Sequence, residues 1–212
     1  MRYLLSLSEF RKHYPLGFSL EIKSLNLPSG IHLILGENGS GKSTLLRALA
    51  GIHNAEGKII LNEISLSQQP LAYRMLVGFA EAEPLFPAFL SLDDLISVVA
   101  SSKKATPGQV EELKEVLGIG DFAASLFGTY SSGMLKKAAL LLAFLGSPKL
   151  VILDEPFTTL DKNSQERLTR LIIDLSEKGT SFLLTSHQSE PLNHLPIGIR
   201  IRLEHGALIA HE

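Results

Sequence analysis

The sequence predicts an α/β fold built on a mostly parallel sheet, and three observations carry the prediction. A glycine-rich run, Gly36-Glu37-Asn38-Gly39-Ser40-Gly41-Lys42-Ser43, stands between an apolar strand, Ile31 to Leu35, and a helix-like stretch, Thr44 to Ala50. Leu150 to Leu153 is a continuous apolar run, the texture of a strand buried on both faces. An amphipathic helix from Lys162 to Lys178, stopped by Gly179, then leads to a further strand at Ser181 to Thr185.

Tyr3 to Phe10 and Phe18 to Leu25 read as two antiparallel strands flanking that core, the second alternating Phe18, Leu20, Ile22 against Ser19, Glu21, Lys23. Pro28-Ser29-Gly30 turns the chain into the strand before the glycine-rich run. Beyond the first helix, Gly57 precedes a strand at Lys58 to Leu61, Asn62-Glu63 makes a turn, and Met75 to Ala80 reads as another strand. From Leu85 to Gly128 the apolar residues fall at helical spacing. Ser91 and Asp94 are placed as a capping box, and Thr106-Pro107 as an N-cap followed by proline at the first helical position. Ile199 to Glu204 and Ala207 to Ala210, joined at His205-Gly206, form a closing hairpin. The expected organisation is a single domain, 1–212. Its core comprises 1–83 and 146–212, and a helical lobe is inserted at 84–145.

Composition narrows the function. With 212 residues, 45% of them hydrophobic and 20% charged, the chain can bury one sizeable core and is not expected to be disordered. Zero cysteines exclude disulfides, thiolate metal sites and cysteine nucleophiles, and fit a reducing cytoplasm. A formal net charge of -2 gives no broad basic field, so no nucleic-acid partner is expected. The most apolar stretch, Ala138 to Leu145, is too short to cross a bilayer and is expected to pack inside the domain. The start, MRYLLSLSEFRKHY, lacks both a long apolar core and a small-residue cleavage site, which predicts an unprocessed, soluble chain.

The residues from Gly36 to Thr44 make a complete phosphate-binding loop. Its glycines let successive N–H groups turn inward around a phosphate, and the helix that follows points its positive end at the same anion. Lys42 would reach the β- and γ-phosphates, and the Ser43 hydroxyl would ligate Mg²⁺. Asp154-Glu155-Pro156 puts two carboxylates at the end of the buried Leu150 to Leu153 strand, where open parallel sheets bind ligands. Asp154 would hold Mg²⁺ through water, and Glu155 would orient and polarise an attacking water.

With both motifs in this order, the chain resembles the ATP-binding subunit of an ABC transporter over nearly its whole length. Tyr130-Ser131-Ser132-Gly133-Met134 stands where that family has its Leu-Ser-Gly-Gly-Gln signature, Thr158-Thr159-Leu160-Asp161 resembles the D-loop, and Thr185-Ser186-His187 ends in the switch histidine. The resemblance implies a P-loop NTPase core with a flanking antiparallel β subdomain, and hydrolysis of ATP with Mg²⁺. It also implies a second cassette facing head to tail, so that Ser131 and Gly133 of one chain complete the ATP site of the other, a homodimer being expected. Lys42, Glu155 and His187 are then the catalytic set. A separate polytopic permease would receive the energy, its coupling helix lying in the groove between helical lobe and Q-loop. That places the chain on the inner face of the cell membrane.

Three departures accompany the resemblance. In the signature, Ser132 replaces a glycine but keeps an N–H and adds a hydroxyl, whereas Met134 replaces the glutamine and can pack on a ribose. Tyr14 is placed like the aromatic that stacks on adenine, with Phe10 and Phe18 competing for the role. After Val77-Gly78-Phe79-Ala80 comes Glu81-Ala82-Glu83, so Ala82 falls where the family has its Q-loop glutamine. Either Glu81 or Glu83 substitutes at the metal, or the link to the permease is weakened. The Ser-x-Gly-Met signature and the absence of a C-terminal regulatory domain favour export. Two alternatives stand beside this reading. One is an ATP-switched clamp, which would carry long heptad coiled coils that do not occur here; the other is a slow nucleotide-binding regulatory module.

Overall fold

The computed structural model describes residues 3–15, 17–186 and 192–211. β1 (Leu5–His13) and β2 (Ser19–Leu27) precede β3 (Ile31–Leu35), which runs through a loop into α1 (Lys42–Leu49). β4 (Glu56–Leu61), β5 (Ile64–Ser65) and α2 (Pro70–Met75) lead to β6 (Val77–Ala80). Three helices follow, α3 (Leu92–Lys103), α4 (Pro107–Leu117) and α5 (Ser132–Phe144), with a 3₁₀ turn at Phe127–Thr129. The described chain closes with β7 (Leu150–Leu153), α6 (Lys162–Glu177), β8 (Ser181–Thr185), β9 (Ile197–Glu204) and β10 (Ala207–His211).

All these strands share one sheet in the order β5-β4-β1-β2-β10-β9-β3-β8-β7-β6. The half from β9 to β6 is wholly parallel. The other half is antiparallel between β1, β2, β4 and β5, and β10 joins the halves by pairing antiparallel with β9 and parallel with β2. The predicted division into a parallel core and a flanking antiparallel section is therefore observed.

Burial follows from strand periodicity. In β3, Ile31 and Leu33 face a core shared with α3, α4, α5 and α6, while Ile34 faces a second core built with α1, β1, β2 and β4. β7 divides the same way, Val151 and Leu153 to one side and Leu150 and Ile152 to the other. Each such side chain stabilises the fold by about 1.5–3 kcal/mol relative to exposure, which is why these strands carry no polar alternation. In β2, buried Leu20 and Ile22 alternate with exposed Glu21 and Lys23, as a strand wet on one face requires.

The predicted caps are present. Ser91 Oγ accepts from the Asp94 N–H at 3.2 Å while Asp94 Oδ2 accepts from the Ser91 N–H at 2.9 Å, and Thr106 Oγ1 accepts from the Gln109 N–H at 3.2 Å. Several boundaries differ from the sequence reading. β1 runs on to His13 because a bulge, with Glu9 at φ 52° and a register shift between Ser8 and Arg11, absorbs the break in alternation. Met75 belongs to α2, not to the strand that follows, and β9 begins two residues early at Ile197. The apolar stretch from Ala138 is buried as expected, against β6 and β7. Among the described residues, no helix is long and apolar enough to cross a membrane.

Candidate active site

The phosphate loop spans the gap between β3 and α1. Its outer side is closed by the β9–β10 hairpin: the Gly206 N–H donates to the Ser40 carbonyl at 3.1 Å. A Cβ at Gly36 would lie 2.4 Å from the Leu203 carbonyl oxygen and 2.6 Å from Ser40 Oγ, so only glycine fits there. Lys42 Nζ donates to the Gly36 carbonyl at 2.7 Å and the Glu37 carbonyl at 3.0 Å, holding the ammonium across the loop. Phe18, Asn38, Gly39, Gly41, Lys42, Ser43, Thr44, Ala82, Asp154 and Glu155 line a cavity of about 490 Å³, a size that suits a small-molecule ligand.

Two carboxylates meet the loop at this cavity, as the sequence predicts. Ser43 Oγ donates to Asp154 Oδ2 at 2.6 Å, and Thr185 Oγ1 donates to Asp154 Oδ1 at 2.6 Å. Thr185 Oγ1 also accepts from the Glu155 N–H at 2.9 Å, so one hydroxyl orients the Asp154 carboxylate and anchors the Glu155 backbone. Sequence reasoning did not single out this hydroxyl as a link between the two acid-bearing residues. Its signal was a threonine ending a buried strand beside the Ser186-His187 pair, legible only once β7 and β8 are known to be neighbours. Glu155 takes φ 47°, a left-handed conformation that costs a non-glycine residue energy and persists where its surroundings enforce it. The Ser43 hydroxyl and Asp154 carboxylate form an oxygen-only donor pair on the cavity wall, which fits a hard divalent cation.

Ala82, at the position of the family's Q-loop glutamine, lines the cavity, whereas Glu81 and Glu83, the two residues expected to stand in for that glutamine, do not. The Glu81 carboxylate is held by the Arg47 guanidinium of α1, Nε to Oε1 at 3.2 Å and Nη2 to Oε2 at 3.3 Å. Glu83 is exposed. Behind Ala82 lies Lys136 of α5, only 1% exposed, whose ammonium donates to the carbonyls of Glu81 at 3.1 Å, Ala82, and Glu155 at 3.2 Å. Burial pulls its pKa down to about 8, against the opposing pull of the Asp154, Glu155 and Glu83 carboxylates.

The three candidate aromatics take different places relative to the cavity. Tyr14 does not line the cavity; its hydroxyl is 3.5 Å from His53 Nδ1, and the Lys12 ammonium lies 5.4 Å from its ring centroid. Phe10 is fully buried in the core. Phe18, 6.2 Å from Tyr14 between ring centroids, is the aromatic on the cavity wall.

Ser131 caps α5, accepting from the Met134 N–H at 3.3 Å, while the Ser131 N–H approaches Met134 Sδ at 3.5 Å. Met134 thus closes the helix start with a thioether in the place of an amide. Ser131 and Ser132 are exposed, and the segment Ser131 to Met134 lies outside the lining of the phosphate cavity of its own chain. Asp161 caps α6, accepting from the Ser164 N–H at 2.9 Å and the Ser164 hydroxyl at 2.7 Å, and these bonds hold its pKa below the usual carboxylate value. His187 lies outside the described residues.

Residues 20–158 match the ABC transporter family, and this chain belongs to it. It is an ATP-binding subunit that energises an ABC transporter by hydrolysing ATP. Similar proteins include a lantibiotic transport ATP-binding protein of Streptococcus pyogenes, 28% identical over 91% of this chain and 83% of its own length. A thiamine import ATP-binding protein of Haemophilus influenzae is 31% identical over 85% of each chain. A cytochrome c biogenesis ATP-binding export protein of Pseudomonas syringae pv. syringae is 33% identical over 83% of each. Among solved structures, the ATP-binding subunit of an ABC transporter superposes with a TM-score of 0.87 at 23% identity, covering 99% of this chain and 89% of that one. A dimeric ATP-binding cassette in a post-hydrolysis state bound to ADP and Pi superposes with a TM-score of 0.81 at 21% identity, covering 98% and 97%.

Proposed function

We propose that the chain powers an exporter as one of two identical cassettes on the cytoplasmic face of a polytopic permease, with Glu155 as the carboxylate that prepares the hydrolytic water. The observation that supports this reading is the chain of hydrogen bonds from Ser43 through Asp154 and Thr185 to the Glu155 backbone N–H, which anchors both acid-bearing residues on the wall of the phosphate-loop cavity. The loop N–H groups and Lys42 bind the phosphates, Lys42 exchanging its two loop carbonyls for phosphate oxygens. Ser43 and Asp154 would hold one Mg²⁺, which neutralises phosphate charge when bound. Phe18, with Tyr14 beside it, supplies the apolar wall for the base. His187, two positions after Thr185, polarises the γ-phosphate. Ser131 and Gly133 of the partner subunit complete the site, a reading supported by the exposure of Ser131 and by the place of both residues at a helix N-terminus away from their own cavity.

Export is favoured by the Ser-x-Gly-Met signature, and the relatives include both directions, one named as an export protein of cytochrome c biogenesis and others for thiamine and sulfate/thiosulfate import. Leu85 and Phe89, exposed by 92% and 76%, follow the 81–83 loop and offer the permease an apolar contact. Phosphate release by the purified chain with its permease tests the chemistry. Glu155→Gln is expected to retain ATP binding while turnover falls by about 10²-fold or more, the contribution of a positioned base. Wild-type turnover in that variant would remove Glu155 from the role.

A further inference from the structure

We infer that Lys136 is a positioning residue for ATP hydrolysis, holding Glu155 and the 81–82 loop in one fixed register. The inference deepens the reading above and rests on Glu155 as the carboxylate that prepares the water.

An ammonium has three N–H donors, and Lys136 delivers them to three backbone carbonyls, of Glu81, Ala82 and Glu155. Those carbonyls come from two segments far apart in sequence, the loop leaving β6 and the turn leaving β7, and the lysine itself comes from a third, α5. Packing alone does not call for a cation here. A leucine or methionine would fill the same space without the desolvation that lowers this lysine's pKa, so the charge must do something that carbon cannot.

Glu155 shows what that is. Its backbone is held in the left-handed region at φ 47°, which a glutamate leaves unless both ends of the residue are pinned. Thr185 Oγ1 pins the N–H at 2.9 Å. Lys136 at 3.2 Å and Thr158 Oγ1 at 2.8 Å pin the carbonyl. Releasing the lysine frees one of these anchors and, in the same step, the loop that presents Ala82 to the cavity. The consequence is confined to where the carboxylate points, since the phosphate contacts of Lys42 and the loop N–H groups are built from β3 and α1. The loop that leads to the exposed Leu85 and Phe89 is thereby tied through one side chain to the backbone of Glu155, without a glutamine on the cavity wall.

The test compares Lys136→Met, Lys136→Gln and Lys136→Arg with wild type and with Glu155→Gln, measuring ATP affinity without Mg²⁺, kcat for phosphate release, and thermal unfolding. Lys136→Met and Lys136→Gln are expected to stay folded and to bind ATP within a factor of about three of wild type. Their kcat is expected to fall by on the order of 10²-fold, the cost of misplacing a reacting group by about 1 Å. Lys136→Arg, which keeps a cation with several donors, is expected to recover about 10-fold of that loss. An unchanged kcat in the neutral variants overturns the inference, as does a loss of kcat that merely tracks lost ATP affinity. Failure of every variant to fold overturns it too, because the lysine would then support the lobe and not the acid. Glu155→Gln separates the two readings: if it is inactive while Lys136→Met is fully active, only the present inference fails, whereas full activity of Glu155→Gln removes the hydrolytic reading itself.

Discussion

His32 sits on β3, a few residues before the phosphate loop, with its ring 2% exposed. Its Nε2 must carry the hydrogen, since it faces the Pro28 carbonyl at 2.9 Å, and Nδ1 has no hydrogen-bond partner among the described residues. Protonating Nδ1 would bury an unsatisfied cation, so burial holds the pKa below its ordinary value. In the unfolded chain the same ring titrates near about 6.5. Below that pH the unfolded state binds a proton that the folded state refuses, and stability falls with pH until the folded pKa is reached. The predicted slope is at most about 1.4 kcal/mol per pH unit. Urea midpoints from pH 7 to 5 should fall less steeply in His32→Leu than in wild type, and parallel pH curves would refute the assignment. Site residues differ in how openly the sequence shows them. Ser43, Asp154 and Glu155 are legible because their chemistry depends on neighbours in sequence. Thr185 and Lys136 were not singled out for their places, and Phe18 only as a rival of Tyr14, because each takes its place from residues distant in the chain. Lys136 looks like any lysine of a polar helix start until β6 and β7 close over it.

The packing of α5 on β6 turns on one glycine. A Cβ at Gly78 would lie 1.9 Å from the Ala143 carbonyl oxygen and 2.9 Å from its carbon, which are backbone atoms that cannot rotate away. Gly78→Ala must therefore push the helix off the strand, and the expected cost is about 3 kcal/mol, the upper end of overpacking in a closed core. Equilibrium denaturation should show a lower midpoint with little change in slope; an unchanged midpoint would mean that the helix moves freely. This contact also bears on which elements could be read in advance. Strands with a continuous apolar run, β7 and β8, match the sequence reading residue for residue. The six-residue α2 escaped it, since it is too short for a helical period to emerge, and its anchor is tertiary: Tyr73 is buried and donates its hydroxyl to the Leu49 carbonyl at 2.8 Å. β5, two residues long, exists only as the partner of β4.

Two copies of the chain are expected to associate when ATP is bound and not hydrolysed, because the exposed start of α5 then meets a phosphate on the facing copy. Glu155→Gln with ATP should elute from a sizing column at twice the mass of the nucleotide-free protein, stabilised by mass action. Adding Ser131→Arg should return it to the monomer position by burying an unpaired charge in the contact. A monomer under both conditions would contradict the pairing. Within one copy, the closure of the phosphate loop by Leu203 and Gly206 has a consequence in time. The loop is made early in synthesis, but the atoms that brace its outer side, and the β9 strand that lies beside β3, emerge only after β8. Pairings this distant in sequence form slowly, and a domain made from its N-terminus onward must wait for them. A nascent chain still lacking β9 and β10 is therefore expected to hold the glycine-rich run without the brace that Leu203 and Gly206 give its outer side, and to gain its grip on ATP only when those strands dock.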